Sequence, residues 1–111
     1  MAGMIASTAR APQLVRAFPA SLIALATGAN VRTAERWRAG QAPQRRYRDR
    51  MSVLQDVLEV LGRSMSQSAK RAWLEAPSPF LDFERPVDRL AAGDFAAVHA
   101  AAESYVVGDY A

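Results

Sequence analysis

The chain has 111 residues, half of them hydrophobic, enough for one small domain with a packed core and too apolar for wholesale disorder. It has no cysteine, which excludes disulfides, thiol catalysis and cysteine-based zinc sites and fits the reducing cytoplasm. Charge is divided along the chain: residues 1–50 hold nine arginines against Glu35 and Asp49, a balance of +7, whereas residues 51–111 hold five basic and nine acidic residues, a balance of −4.

Period-2 alternation is absent and alanine is frequent, so the sequence predicts an all-α fold of five or six helices punctuated by glycine and proline. A first helix is expected from Pro12 to Phe18, with Leu14, Val15 and Phe18 as its apolar face, and Pro19 ends it. A second runs from Ala20 to Thr27. A third runs from Val31 to Ala39 with Asn30 as its N-cap. Pro43 suits the first turn of a long fourth helix reaching Leu61. Along it Tyr47, Met51, Leu54, Leu58 and Leu61 make one apolar stripe, and Val53, Val57 and Val60 make a second. A face this wide asks for burial on two sides. Ser64 can cap a fifth helix through Leu74 or Glu75, after which Pro77 and Pro79 forbid continuation. Pro86 starts a short turn of helix ended by Gly93, and Asp94 caps a last helix, Phe95 to Val107, stopped by Gly108.

The basic half has the geometry of a helix-turn-helix. Such a motif needs a small residue within its first helix, a residue tolerant of positive φ at the turn, and buried apolar residues on its second helix. Ala24, Gly28, Ala34 and Trp37 supply these in order; Val31 either packs at the hinge or faces out. The run "SLIALATGANVRTAERWRAGQ" resembles the Xre-type helix-turn-helix, with Gly28, Thr33, Arg36, Trp37 and Gly40 in the family's order. In that geometry the start of the second helix enters the major groove, so Asn30, Arg32, Glu35 and Arg36 would face operator DNA, with Arg32 and Arg36 one turn apart on one face. Arg45, Arg46, Arg48 and Arg50 would hold phosphates. Against this stands a solvated helix whose charges serve only solubility. Trp37 reads as core, not as a base-stacking residue.

The acidic half resembles the toxin-binding domain shared by Xre/MbcA/ParS antitoxins: Trp73, Leu74, Pro77, Leu81, Pro86, Leu90, Val98, Gly108 and Tyr110 match that pattern in order. It departs at Ser78 for the usual Asn, Phe83 for the usual Gly, Ala91 for a second Leu and Val106 near the usual Ile. The resemblance implies a helix-turn-helix region over 1–62 and a toxin-binding domain over 63–111. It implies the antitoxin of a type II toxin–antitoxin system, whose partner is a RES-domain toxin that degrades NAD. The antitoxin's C-terminal segment would cover the toxin's active site, and the pair would repress its own operon. On this reading Phe80, Tyr105, Gly108, Asp109, Tyr110 and Ala111 meet the toxin.

The residues themselves are consistent with an interface. Proline-stiffened loops lose less entropy on docking, and tyrosines suit interfaces. Trp73, Leu81 and Leu90 read as core, Phe80 fits either role, and Tyr110 reads as interface. Palindromic operators call for two-fold symmetry, so a homodimer is expected through Leu54, Val57, Leu58 and Leu61, and a higher hetero-oligomer with the toxin. The alternative is a stand-alone dimeric transcriptional regulator.

Other chemistries are set aside. His99 is the one histidine, and Asp82, Glu84 and Asp88 lie close in sequence without a nucleophile, so neither an enzyme, a metal site nor a cofactor is expected. The opening "MAGMIASTARAP" lacks an apolar core, and no apolar run nears the roughly 20 residues that span a bilayer, so a cytoplasmic protein without a signal peptide is expected.

Overall fold

The structure, a computed structural model, describes residues 11–108. Among these it contains seven α-helices, one 3₁₀ turn and no strand. The helices are α1 Gln13–Arg16, α2 Ala20–Thr27, α3 Val31–Arg38, α4 Arg45–Leu61, α5 Gln67–Glu75, α6 Pro86–Ala91 and α7 Phe95–Val107, with the 3₁₀ turn at Pro79–Leu81.

The order agrees with the expectation, and the differences are local. The first helix is a single turn, and Leu14 on it is 37% exposed rather than core. Helix α4 starts two residues after Pro43, with Gln44 as N-cap. Helix α5 is capped not by Ser64 but by Ser66, whose Oγ accepts the Ala69 N–H at 3.1 Å. Asp94 holds the N-cap position of α7 through its backbone carbonyl, which accepts the Val98 N–H, but makes no side-chain cap bond, and its carboxylate pairs with Arg89.

Helices α2 and α3 meet across a turn at Gly28, whose φ of 81° lies in the left-handed region where a Cβ is disfavoured. Buried Thr27 holds the end of α2 by donating its hydroxyl to the Ile23 carbonyl at 2.7 Å. Asn30 Oδ1 accepts the Thr33 N–H at 2.8 Å, satisfying one orphan donor at the start of α3. Ala24 and Ala34 are both buried where the helices approach, and Trp37 is fully enclosed. Its ring meets Tyr47 edge-on at 5.2 Å, which ties α3 to the first turn of α4.

Helix α4 is the central strut. It packs against α1, α2 and α7, and α2 also packs against α6, so residues from both halves of the chain join one core. This corrects the expected dimer face. Leu54, Val57, Leu58 and Leu61 are 0–2% exposed within the single chain. The second side that the wide apolar surface of α4 requires is supplied by the chain's own helices, so these four side chains offer nothing to a second copy.

The connection from α5 to α6 is folded on itself. Ser78 Oγ accepts the Phe80 N–H, the Ser78 carbonyl accepts the N–H groups of Leu81 and Phe83, and the Ser78 N–H donates to the Glu84 carbonyl. Asp82 and Phe83 take left-handed φ values of 54° and 65° to close the loop.

Candidate binding surfaces

The basic surface is carried by α3 and the start of α4. Arg32, Glu35 and Arg36 are exposed on α3, and Arg45, Arg46 and Arg48 are exposed on α4. Among the described residues none of these five arginines lies within ion-pairing distance of a carboxylate. Arg46 stands over the Tyr47 ring, 4.9 Å from its centroid, and Tyr47 leans on Trp37. The helices that carry the two arginine groups are therefore joined through the Trp37–Tyr47 contact. Such a surface attracts phosphates without first breaking internal pairs.

Of two neighbouring residues, Asn30 takes its expected capping place and Arg50 departs from expectation. Asn30 uses its side-chain oxygen to cap α3, leaving only its amide group to face outward. Arg50 does not project with Arg45, Arg46 and Arg48. It turns inward, donates to the Ala91 carbonyl at 3.3 Å and covers the Phe95 ring at 5.5 Å.

The second surface is apolar. Trp73 on α5 and Tyr105 on α7 lie with ring centroids 6.2 Å apart. Together with Met65, Ala69, Phe80 and Pro77 they line a groove of about 480 Å³. Beside it the end of α7 exposes Tyr105 at 43%, Val106 at 52% and Val107 at 75%, more apolar area than a solvent-facing helix end needs. Of the residues expected at a toxin, Phe80 and Tyr105 line this groove and Gly108 caps α7. Asp109, Tyr110 and Ala111 lie outside the described residues. Trp73 is buried as its core reading requires, and what the sequence does not show is that α5 also forms a wall of the groove. The signal was that Tyr105, Val106 and Val107 in succession exceed what one helical stripe can bury.

The loop beside the groove is held by Arg89. Its Nε donates to Glu84 at 2.7 Å, Nη1 to Asp94, and Nη2 to the Leu81 carbonyl at 3.3 Å, with Asp82 3.7 Å away. Hydrogen bonds to Glu84 and then Asp94 raise its pKa further above the ordinary value, so it remains a cation throughout. Next to it Arg85 forks onto Asp88 at 2.8 and 2.9 Å. That hydrogen bonding holds the Asp88 carboxyl below the usual range, against the opposing effect of desolvation. His99 pairs loosely with Glu103 at 3.6 Å on the flank of α7.

The helical order and the two surfaces can be set beside known proteins. Over 74 residues the sequence is 39% identical to a probable mycobacterial cidal antitoxin of Mycobacterium tuberculosis. Over that stretch the chain is similar to this antitoxin. The match covers 67% of this chain and 64% of the relative, so the chain spans less than two thirds of that relative's length. No family model matches the sequence. A chain of the crystal structure of the M. tuberculosis MbcT–MbcA toxin–antitoxin complex superposes with a TM-score of 0.68 over 84% of this chain and 85% of that one. At 24% identity that likeness is one of fold, and it extends across both halves of this chain. Among the described residues no group of three or more metal-ligating side chains converges, and no helix is long and apolar enough to cross a membrane.

Proposed function

We infer that this chain is the antitoxin of a type II toxin–antitoxin pair and binds its cognate toxin through the Trp73–Tyr105 groove and the apolar end of α7. The observation that carries the reading is the run Tyr105, Val106, Val107, exposed beside an aromatic-lined groove in a chain similar to a mycobacterial cidal antitoxin. An exposed apolar surface of this kind marks a site of interaction with a partner. The family resemblance names that partner as a RES-domain toxin acting on NAD. Asp109, Tyr110 and Ala111, which follow directly on Gly108, belong to the same proposed contact. The exposed arginines of α3 and α4 support a second role, repression of the operon through a helix-turn-helix set on operator DNA. The complex would be a higher hetero-oligomer, and any pairing of two antitoxin chains must use a surface other than the buried face of α4.

Co-expression with the adjacent toxin reading frame tests the first role. The wild-type chain should restore growth and co-purify with the toxin. Tyr105→Asp combined with Val106→Asp should fold, as judged by circular dichroism, yet do neither. A folded double variant that still neutralises the toxin sinks the proposed site. A wild-type chain that fails to neutralise sinks the function. For the second role, Arg32→Ala with Arg36→Ala should abolish an operator gel shift at fixed salt while leaving toxin binding unchanged.

A further inference from the structure

Arg50 lies one helical turn after the exposed Arg46, yet it is half-buried and points into the seam between the two halves of the chain. Its guanidinium reaches two left-handed turns at once. A Cβ built on Gly28, at the α2–α3 turn, would stand 3.3 Å from Nη1, and one built on Gly93, at the α6–α7 turn, would stand 3.8 Å from Nη2. Nη1 donates to the Ala91 carbonyl at the end of α6, and the guanidinium plane covers Phe95, the first residue of α7. One planar cation thus touches the turn that aims the basic helix α3 and the turn that aims the apolar helix α7. Arginine suits this position because its flat, forked head can bond at its edge and stack on its face together, which a lysine ammonium cannot do. A Cβ at Gly28 would crowd the guanidinium, whereas one at Gly93 would only touch it; at both turns the positive φ, 81° and 87°, independently favours glycine.

We propose that Arg50 is a positioning residue that fixes the α2–α3 turn against the α6–α7 turn and so sets the orientation of the basic surface relative to the groove. It is a wedge between the two binding surfaces and not a phosphate contact. The consequence for DNA rests on the reading that α3 faces an operator; the mechanical claim does not.

The test uses the full chain with Arg50→Met, which keeps the aliphatic stem, and Arg50→Lys, which keeps the charge. Hydrogen exchange is followed at the Gly28 amide, bonded to Ala24, and the Gly93 amide, bonded to Leu90. Both should exchange about tenfold faster in Arg50→Met, while the Leu58 amide within α4 keeps its protection. Arg50→Lys should behave like Arg50→Met; full restoration by lysine would mean that charge alone suffices and would overturn the wedge. Unchanged exchange at either turn would also overturn it. Operator affinity should fall about tenfold with the salt slope unchanged, whereas Arg46→Met should lower that slope by about one. A lowered slope in Arg50→Met would make Arg50 a phosphate contact and refute the proposal. If Arg50→Met does not fold, Phe95→Leu removes the ring beneath the guanidinium and should loosen both turns; loosening of the Gly93 turn alone would refute the bridge. A wild-type chain that binds no operator removes the DNA reading and leaves the exchange result to decide this one.

Discussion

The rings of Trp73 and Tyr105 lie tilted by 55° with centroids 6.2 Å apart, fastening α5 to the end of α7 and forming the floor of the apolar groove. The two residues share a contact but not a task. Trp73 is 8% exposed and fills the space between helices, whereas Tyr105 is 43% exposed and keeps one side free. Trp73→Ala should therefore destabilise the fold by about 3–5 kcal/mol, the usual cost of deleting a buried indole. Tyr105→Ser should cost no more than about 1 kcal/mol of stability but weaken the toxin complex by about 2 kcal/mol or more, as an interface aromatic does. Chemical denaturation and calorimetric titration with the toxin separate the two. Equal losses of stability and affinity in both variants would mean that the groove is only core.

The enclosed face of α4 makes a sharper demand. Leu58 is wholly buried within the chain. Leu58→Ala should cost about 2–5 kcal/mol in denaturant unfolding. Leu58→Asp should give an unfolded chain, because an unpaired charge cannot be carried in that core. Sedimentation distinguishes this from an intermolecular role: a dimer interface at Leu58 would yield a folded, monomeric Leu58→Asp protein.

The helix order was legible because each boundary has a local chemical cause. Gly28, Asn30, Pro79, Pro86, Gly93 and Gly108 mark turns and caps that do not depend on the rest of the fold. The assignment of Trp37 to the core was legible for the same reason, since spacing after Gly28 fixes its side. What periodicity cannot say is which partner covers an apolar face. The wide surface of α4 looked intermolecular from sequence, and α7 and α2 cover it instead. Nor could it say which arginine turns inward: Arg46 and Arg50 share a helix face, and only the approach of Gly28 and Gly93 draws the second one in. The pattern from Trp73 to Tyr110 names residues of the groove, but not that α5, the 3₁₀ turn and α7 come together to wall it, because that depends on packing between segments distant in sequence.

The Arg85–Asp88 fork predicts an acid-side effect. Hydrogen bonding lowers the folded-state pKa of Asp88 below its unfolded value, so the pair contributes stability above the ordinary carboxylate range. That contribution is lost as pH falls through the folded-state value; Arg85, raised by the same contact, stays charged throughout. The side chains are 41% and 47% exposed, so the effect is small and screened by salt. Thermal melts of the wild type and Asp88→Asn should differ at neutral pH and low salt, and converge as pH falls below the ordinary carboxylate range and Asp88 is protonated in the folded state as well. A difference that persists unchanged into acid would exclude the ion pair as its source.

Phe83 stands where the antitoxin pattern usually carries glycine, and its φ of 65° retains the left-handed backbone that glycine would take. A bulky residue there costs roughly 1–2 kcal/mol of backbone energy. Its ring returns little by burial, being 71% exposed. The loop tolerates this because Ser78 and Arg89 fix it from both sides through the bonds to Phe80, Phe83, Leu81 and Glu84. Phe83→Gly relieves the strain but adds freedom to the unfolded chain, so the net gain should be about 0.5–1 kcal/mol by denaturant unfolding. Strain retained at an exposed aromatic, in the loop that follows the groove residue Phe80, points to use at the interface. The same variant should accordingly be more stable and bind the toxin about tenfold less tightly, with Phe83→Asn, which also accepts left-handed φ, giving the same two signs. A variant that gains stability and keeps full toxin affinity would exclude Phe83 from the contact, and one that loses stability would show that the ring is held by the fold rather than presented by it.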